Sequence, residues 1–495
     1  MSSLTKDFLA RYAAESREEF EALLKELVEI PTVSSDPARK PDIARGAQVA
    51  ADLIRRFGGE AQVYETSGNP IVHGKWGSDP DRPTITVYNH MDVQPASKET
   101  EPWRTEPFEF VKDGDKYRGR GTTDDKGPAL AALFGARAAM KAGVPVNVRV
   151  LWEFEEEIGS PSFQEGITAH RDALATDSVI VSDTIWVSRG KPAAPAGLRG
   201  LQGLLFQLTT GETDQHSGVT GGAARNPIAE LMQVVTACFD AKTGKVKIPG
   251  FYKDVVPPTK REIEDFKRCG FTVKGFMKDH EFRSIRSKDP VDIMKRIWAM
   301  PTFEIHGVIG GYQGPGVKTI VPPFAEVKVS CRLVPNQTGD KIAALVEKFV
   351  KSQNKDVVVK REHGLSPYGG LTTGPLADAV RRSMKFAFGK EPVFVREGGS
   401  IGAVLTMEQV LKAPVMFLGL SLPEHGYHAP NENFDWEQAS GGMIAFAKYF
   451  EEIAGLGKGG HAAKKAEPAP KKKAAPKKAA PKKAAPKKAA TKSKR

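Results

Sequence analysis

The chain has 495 residues, 40% of them hydrophobic and 27% charged. Because this length exceeds what one compact core usually holds, we expect two or three domains. No run of eighteen apolar residues occurs, which excludes a membrane span, and the first residues lack the apolar stretch of a secretory signal. Three cysteines without CxxC spacing argue against a disulfide framework or a thiolate zinc site, so we expect a cytoplasmic protein.

The net charge of +12 is concentrated at one end of the chain. Residues 458–495 contain fourteen Lys and one Arg against one Glu, which leaves 57 basic and 59 acidic residues in the part before them. This segment repeats KKAAP and has no large apolar side chain, so it is predicted to be a disordered tail. Because clustered lysines release counterions from polyanions, the tail is a candidate for contact with DNA or RNA.

Hydrophobic periodicity predicts alternating helices and strands from the N-terminus onward. A first helix is predicted at 16–30, with Ser16 and Glu19 in a capping-box pattern. Further helices are predicted at 42–57, 126–141, 223–239, 338–352 and 437–454. Buried parallel strands are predicted at 84–88, 147–152, 178–181 and 414–418. This alternation predicts an α/β domain of three layers with a mostly parallel sheet.

The pattern changes between about 200 and 374. Strands are predicted at 201–209 and 324–333, and the second alternates apolar with polar residues, so we expect one wet face. Core strands lie on both sides of this region, which predicts an inserted α+β domain. The predicted boundaries are 1–199 and 375–457 for the two parts of the first domain, 200–374 for the insertion and 458–495 for the tail.

Side chains that can bind metal follow the C-terminal ends of the four predicted core strands. Open α/β sheets bind ligands at that edge, so these residues should converge. Two histidines and several carboxylates without thiolates suit zinc, manganese or cobalt, and the excess of carboxylates indicates a two-metal centre. The residues are His90 and Asp92, Glu155–Glu157, Asp183, and His425 with His428; Asp124 and Asp125 in the segment 119–127 add two carboxylates.

These residues lie in motifs that resemble the dinuclear zinc peptidase family, which includes carnosinases, cytosolic non-specific dipeptidases, acetylornithine deacetylase and succinyl-diaminopimelate desuccinylase. The motifs cover the chain from about 30 to 450, and several of them favour the dipeptidase branch. They are HMDVQP at 90–95, 119–127, EEEIGS at 155–160, SD at 182–183, GLRG at 197–200, QHSG at 215–218, KTIVP at 318–322, RLVPN at 332–336, 396–401, and His428 with Asn431 and Glu432.

The resemblance implies a role for each candidate in the metal centre. It makes His90 and Asp183 ligands of one metal, Glu157 and His428 ligands of the other, and Asp124 the bridge, with Asp125 its neighbour across a cis peptide bond. Zinc is the expected metal, with manganese and cobalt as alternatives. Glu156 would be the general base for a water that bridges the metals, and Asp92 would orient the His90 imidazole.

The resemblance also implies how substrate is bound. Arg332 would grip a substrate carboxylate, assisted by Thr319, Gly399 and Ser400, and His216 would reach the site from the partner subunit, which makes the inserted domain a lid and a dimerisation domain. An alternative left open for Arg332 is that it only solvates a sheet face, and for the glycines at 398 and 399 that they form an ordinary turn. His425 has no counterpart in the family and is predicted to be a surface loop histidine.

The predicted function is therefore that of a metal-dependent hydrolase of dipeptides or very short peptides with a free C-terminal carboxylate. Met91 and Phe154 depart from residues common in the family, which bears on the substrate more than on the chemistry. One alternative is an amidohydrolase of N-acyl amino acids that uses the same dinuclear site. Another, of a different class, is a nucleic-acid-associated protein that acts through its basic tail.

Overall fold

The computed structural model describes residues 4–398 and 401–460. Gly399, Ser400 and nearly all of the predicted tail lie outside this range. The helices are α1 Lys6–Glu15, α2 Arg17–Val28, α3 Lys40–Arg56, α4 Gly127–Lys141, α5 Phe163–Ala169, α6 Ser217–Thr220, α7 Pro227–Cys238, α8 Lys260–Arg268, α9 Val273–Asp279, α10 Pro290–Met294, α11 Gly339–Gln353, α12 Pro375–Phe388, α13 Gly402–Leu411 and α14 Trp436–Ala454. None of the helices in the described ranges is both long and apolar enough to cross a bilayer.

Eighteen strands form five sheets within the described residues. The strands are β1 Glu60–Tyr64, β2 Ile71–Trp76, β3 Thr84–His90, β4 Val111–Asp113, β5 Lys116–Arg118, β6 Asn147–Glu153, β7 Ser178–Val181, β8 Ala193–Leu198, β9 Gly200–Thr209, β10 Gln215–His216, β11 Glu304–Gly310, β12 Ile320–Val321, β13 Phe324–Leu333, β14 Val358–Leu365, β15 Tyr368–Gly369, β16 Val393–Glu397, β17 Val415–Phe417 and β18 Asn433–Asp435.

The central sheet has six strands in the order β1-β2-β6-β3-β7-β17. The three pairings from β6 to β17 are parallel, and β1 and β2 are added antiparallel at one edge. All four strands of the parallel part coincide with predicted strands. Their C-terminal ends therefore meet at one edge of the sheet, as in other open α/β sheets.

Both faces of the central sheet are covered by helices, which makes three layers. Ile85 and Val87 of β3 pack in a cluster with side chains from α1 to α4, α12 and α14. Tyr88 of the same strand points to the opposite face, where it packs with side chains of α5 and α13. The predicted α/β class with a mostly parallel sheet is confirmed.

The capping box predicted at the first helix is wrong. Ser16 has helical backbone angles, and its side chain makes no capping hydrogen bond to α2. Its amide donates to the carbonyls of Tyr12 and Ala13 instead, so Ser16 ends α1, a helix that the sequence pattern did not predict. Glu19 accepts two hydrogen bonds from the Arg137 guanidinium, at 2.9 and 2.7 Å.

A second, antiparallel sheet has the order β11-β13-β9-β14. One of its faces packs against α7 and α11, with Phe206 of β9 and Val327 of β13 among the fully buried residues. This sheet and its helices form the α+β lid domain, and the exact boundaries 200–374 remain a prediction.

The wet face predicted for β13 is mostly covered. Glu326 and Ser330 are both 8% exposed, and only Lys328 among the polar residues between them is open to solvent. Gln207 on β9 donates a hydrogen bond to Glu326, and His306 on β11 lies 2.6 Å from the Ser330 hydroxyl. Neighbouring strands on both sides therefore shield the polar side chains of β13.

The segment between α7 and β11 packs against a third sheet. Within it, α8 begins at a capping box formed by Thr259 and Glu262. Glu262 also pairs with Arg396 of β16 at 2.6 Å, while Phe266 packs with Ala193 of β8. These contacts join the inserted helices to the three-stranded sheet β15-β8-β16.

Candidate metal centre

The ends of the parallel strands deliver the predicted ligands to one place. His90 is the last residue of β3, Glu157 follows β6 by one tight turn, and Asp183 comes two residues after β7. Asp124 lies just before α4, in the segment 122–126. The β17 strand leads into the loop that carries His428.

Two groups of three ligand atoms form at this edge, and each group lies within 4.8 Å. In the first, His90 Nε2 lies 3.0 Å from Asp124 Oδ1 and 3.9 Å from Asp183 Oδ2. In the second, His428 Nε2 lies 3.1 Å from Asp124 Oδ2 and 3.2 Å from Glu157 Oε2. Asp124 belongs to both groups through its two oxygens. Asp125, joined to it by a cis peptide bond, instead accepts a hydrogen bond from Asn89 at 2.7 Å.

The charges of the two groups are strongly perturbed. Burial, together with the nearby carboxylates of Asp124 and Glu157, raises the pKa of Asp183 to about 7. Hydrogen bonds to Asp124 and Glu157 raise the pKa of His428 to about 10. Against the effect of burial, contacts with His428 and His90 hold the pKa of Asp124 below its usual range. Buried carboxylates that repel one another in this way are stabilised by cations.

The donor set fits divalent metal ions. It consists of imidazole nitrogens and carboxylate oxygens without thiolates, which suits zinc, manganese and cobalt. One carboxylate that faces two groups of ligands at once is the arrangement that a pair of ions requires. No other residues among those described form such a group.

Glu156 lies beside both groups but belongs to neither. Burial, with the carboxylates of Asp183 and Glu157 nearby, raises the pKa of Glu156 well above its usual range. A raised pKa is what a carboxyl that both accepts and returns a proton near neutral pH needs.

Asp92 holds the turn that carries Glu156 and Glu157. Its Oδ1 accepts the Glu156 amide at 3.2 Å, and its Oδ2 accepts the Glu157 amide at 3.0 Å. Nδ1 of His90 lies 3.4 Å from Asp92 Oδ1 and 3.0 Å from the Asp92 carbonyl oxygen. Asp92 thus contacts the imidazole, and it also fixes the backbone of the acidic turn; its orienting role stays a prediction.

Sequence reasoning assigned no role to three side chains that hold the ligands in place. Glu432, whose motif was noted, accepts amides of Gly121, Thr123 and Asp124 and pairs with Arg120 at 2.8 Å. Tyr427 donates to Asp183 Oδ1 at 3.2 Å, and Gln94 donates to Glu157 Oε2 at 2.7 Å. Tyr427 and Glu432 stand close in sequence to His428, and Gln94 stands close to His90. This closeness is the one sequence signal that could have identified them.

The prediction that His425 is a surface histidine is wrong. It is 1% exposed, and its Nε2 lies 3.1 Å from Asp435 Oδ2. Its Nδ1 accepts the amide of Leu422 and lies 3.1 Å from the Thr123 hydroxyl, next to Asp124. These contacts join the loop after β17, which contains His425, to the segment that carries Asp124.

The predicted substrate residues are spread over the inserted domain. His216 is exposed on β10, where it accepts the Gly218 amide, and β10 pairs with β12 beside Thr319. Arg332 is half-buried on β13 and lines a cavity that does not include those two residues. Gly399 and Ser400 are not among the described residues.

Glu397, at the end of β16, is a carboxylate that sequence reasoning missed. Burial and the charge of Asp183 raise the pKa of Glu397 to about 8, so the two carboxylates lie close enough to interact. Its buried Oε2 has no hydrogen-bond partner within the described part of the chain. A cationic group of a bound molecule would satisfy it.

Comparisons with known proteins agree with this geometry. The human Beta-Ala-His dipeptidase is 30% identical over 89% of this chain and 91% of its own length. The Cys-Gly metallodipeptidase dug1 of Schizosaccharomyces pombe is 30% identical over 92% of this chain and 99% of its own.

Solved structures of dipeptidases share the fold. The di-peptidase Dug1p of Saccharomyces cerevisiae superimposes with a TM-score of 0.80 at 29% identity, covering 92% of this chain and 99% of that one. Human carnosine dipeptidase 1 superimposes with a TM-score of 0.78 at 28% identity, covering 90% of this chain and 98% of that one. Residues 86–452 match the model of peptidase family M20/M25/M40. The chain therefore belongs to this family and is a metallopeptidase.

Proposed function

We propose that this chain hydrolyses dipeptides or very short peptides with a free C-terminal carboxylate at a centre of two divalent metal ions. The observation that carries the proposal is the pair of ligand groups that share Asp124, with Glu156 beside them. His90 and Asp183 would hold one ion, and Glu157 and His428 the other, with zinc as the expected metal and manganese or cobalt as alternatives. When bound, such ions lower the pKa of water and polarise the scissile carbonyl.

The protein's own part in the chemistry is assigned to Glu156. Its carboxylate would take the proton of the attacking water and give it to the leaving amine, a contribution of about 10²–10⁴-fold. Asp92 would keep Glu156 in position through the amide that it accepts. One carboxyl thus serves both proton transfers, which its raised pKa supports.

The charged residues assigned to substrate binding favour a substrate with two free ends. Arg332 would pair with the C-terminal carboxylate, helped by Thr319, Gly399 and Ser400. Glu397 would accept the N-terminal ammonium, since its Oε2 is otherwise unsatisfied within the described residues and lies near Asp183. An N-acyl amino acid has no ammonium group, so this carboxylate favours dipeptides over the amidohydrolase alternative.

The proposal is tested by hydrolysis of three related compounds after metal-free protein is loaded with zinc, manganese or cobalt. We expect Ala-Ala to be cleaved, and N-acetylalanine and Ala-Ala amide to react at least about a hundredfold more slowly, because each lacks one charged end. Faster cleavage of N-acetylalanine would establish the amidohydrolase instead. Failure of all three compounds with every metal would refute the proposal.

We also propose a homodimer in which His216 of one subunit stabilises the oxyanion at the site of the other. The exposure of His216 on β10 supports such a role. A variant lacking Glu156 and a variant lacking His216 should then rescue each other, because a mixed dimer has one site with both residues. With random exchange, about half the dimers are mixed, so activity should recover to about a quarter of wild type. Subunit exchange without recovery would contradict the shared site.

For the basic segment 458–495 we propose a contact with a polyanion that is independent of hydrolysis. Its charge of +14 rests on the sequence alone. Deletion of these residues should abolish salt-sensitive binding to DNA or RNA and leave dipeptide hydrolysis unchanged. If the full-length protein binds neither DNA nor RNA at low salt, the proposed contact is refuted.

We place the protein in the cytoplasm, because Cys238, Cys269 and Cys331 are buried and form no disulfide.

A further inference from the structure

A large cavity lies on the polar face of the lid sheet, away from the metal ligands. Its volume is about 1340 Å³, above the usual range for small-molecule pockets of roughly 300–1,000 Å³. Seven cationic side chains of the described residues line it, against two carboxylates, Asp292 and Glu304. Asp292 is already paired with Arg296 at 2.8 Å, so most of the remaining charge of the cavity is positive.

Two of the cations, Arg199 and Arg332, lie close enough for the charge of Arg332 to act on Arg199. Arg332 pairs directly with Leu201 in the ladder between β13 and β9, and Arg199 stands two residues before Leu201. Arg199 is the single residue between β8 and β9, directly before the first residue of β9. Both residues line the cavity.

The surroundings of Arg199 connect the cavity to the metal centre. The Arg199 amide donates to the carbonyl of Glu397, the residue whose carboxylate interacts with Asp183. Its guanidinium packs against Gly398, where an added Cβ would lie 3.1 Å from Nη2. Burial, with the neighbouring charge of Arg332 and partly offset by Glu304, lowers the pKa of Arg199 to about 10. The group thus stays charged at neutral pH.

We infer that Arg199 and Arg332 together select substrates with two carboxylates on the C-terminal residue, so that dipeptides ending in glutamate or aspartate are preferred. The inference rests on the proposed function, because it assigns the C-terminal carboxylate to Arg332. The charge of Arg332 acts on Arg199, and a ligand with two carboxylates can pair with both residues at once. The lysines and Arg286 around the cavity add positive potential that attracts the same ligand.

The inference is tested with pairs of substrates that differ only in charge, Ala-Glu against Ala-Gln and Ala-Asp against Ala-Asn. We expect kcat/KM to be roughly ten- to hundredfold higher for the acidic member of each pair, the range expected for one charge-assisted hydrogen-bonded contact. Equal values for both members would overturn the inference and leave the proposed function standing. Failure to cleave any dipeptide would refute the proposed function instead.

Variants of Arg199 identify the residue responsible. Arg199→Gln should bring the ratio for Ala-Glu and Ala-Gln close to one. Arg199→Lys retains the charge and so guards against loss of folding; it should lower the ratio several-fold because lysine cannot present a planar fork. A ratio that is unchanged in Arg199→Lys would overturn the assignment.

A matched control is Arg361→Gln. Arg361 belongs to the same sheet but lies on the helix-covered side, where it pairs with Glu347 of α11. The preference for Ala-Glu should be the same in this variant as in the wild type. A loss of preference in the control would show that the effect follows from the net charge of the lid and would refute a specific site at Arg199.

Discussion

The molecule contains two clusters of like charge, and they are built in different ways. The acidic cluster lies where parallel strands end. The amides of Asp124 and Glu157 donate to neighbouring carboxylates, and Asp183 accepts a hydrogen bond from Tyr427. The cationic cavity lies on the flat face of an antiparallel sheet and is completed by the helices inserted between 239 and 304. The first cluster holds ligand groups that could bind metal ions, and the second is a wide cavity lined mainly by cations.

This difference shows how one fold can bind a molecule with charges of both signs. A dipeptide offers an ammonium at one end and a carboxylate at the other, and the link between Glu397 and Arg199 joins the two clusters. The comparison can be tested by removing charge from each cluster in turn, and the largest effects are expected at the acidic one.

The shared carboxylate gives the largest expected effect. Asp124→Asn weakens both ligand groups at once, so the metal content should fall from about two ions per chain to near zero, with loss of activity. The number of metal ions per chain is measured by elemental analysis after gel filtration. The matched control is Asp125→Asn, which alters the adjacent residue outside both groups and should retain the metal. If Asp125→Asn loses its metal ions and Asp124→Asn retains them, Asp125 is the bridging residue instead.

Replacement of Glu156 should separate chemistry from metal binding. Glu156→Gln keeps the shape of the side chain but cannot carry a proton, so kcat should fall by about 10²–10⁴-fold while both metals stay bound. Steady-state kinetics and elemental analysis are compared on one preparation. Loss of a metal ion would instead make Glu156 a ligand.

The neighbouring Glu155 provides the control for that variant. Its carboxylate accepts hydrogen bonds from the amides of Asn69 and Ser162, at 2.7 and 2.8 Å, and belongs to neither ligand group. Glu155→Gln should lower the melting temperature by several degrees, because one buried carboxylate oxygen is lost as an acceptor. Turnover per folded molecule should change little by comparison.

The cationic side of the comparison is tested at Arg332. Arg332→Lys replaces a planar fork by a point charge, so KM for Ala-Ala should rise about tenfold or more, with a smaller change in kcat. Lys328→Met removes an exposed cation from the same strand and face, and KM should stay as in the wild type. If both variants raise KM equally, long-range attraction rather than a specific contact holds the substrate.

The acidic cluster could be predicted from the sequence because of where its residues stand. Each of His90, Glu157 and Asp183 follows a strand with a clear apolar run, so topology alone brings them together. The expectation that Asp124 bridges two metals came only from the resemblance to a family, since no periodicity marks a residue that stands before a helix.

The cationic cavity could not be predicted in the same way. Its residues extend from 199 to 332 and come from loops, short helices and two strands, without a common spacing. The helix α8 lies in the same stretch of the chain and is polar, so hydrophobic periodicity does not mark it. The capping-box pattern of Thr259 and Glu262 could have marked the start of this helix. The buried position of His425 was missed because its partner Asp435 belongs to the next strand, β18.

The smallest effect concerns a histidine of the central sheet outside the acidic cluster. Carboxylates around His428 raise its pKa to about 10, whereas burial, with the charges of Arg149 and Lys75 nearby, lowers the pKa of His73 to about 4. His73 is therefore neutral in the folded chain, and the unfolded chain binds one more proton between pH 6.5 and 4. Its contribution to stability is complete above pH 6.5 and falls by roughly 3 kcal/mol as the pH drops to 4. His73→Gln should flatten this part of the stability profile, measured by urea unfolding at several pH values against the wild type. An equal slope in both proteins would mean that His73 is charged in the fold, and the contrast with His428 would then be lost.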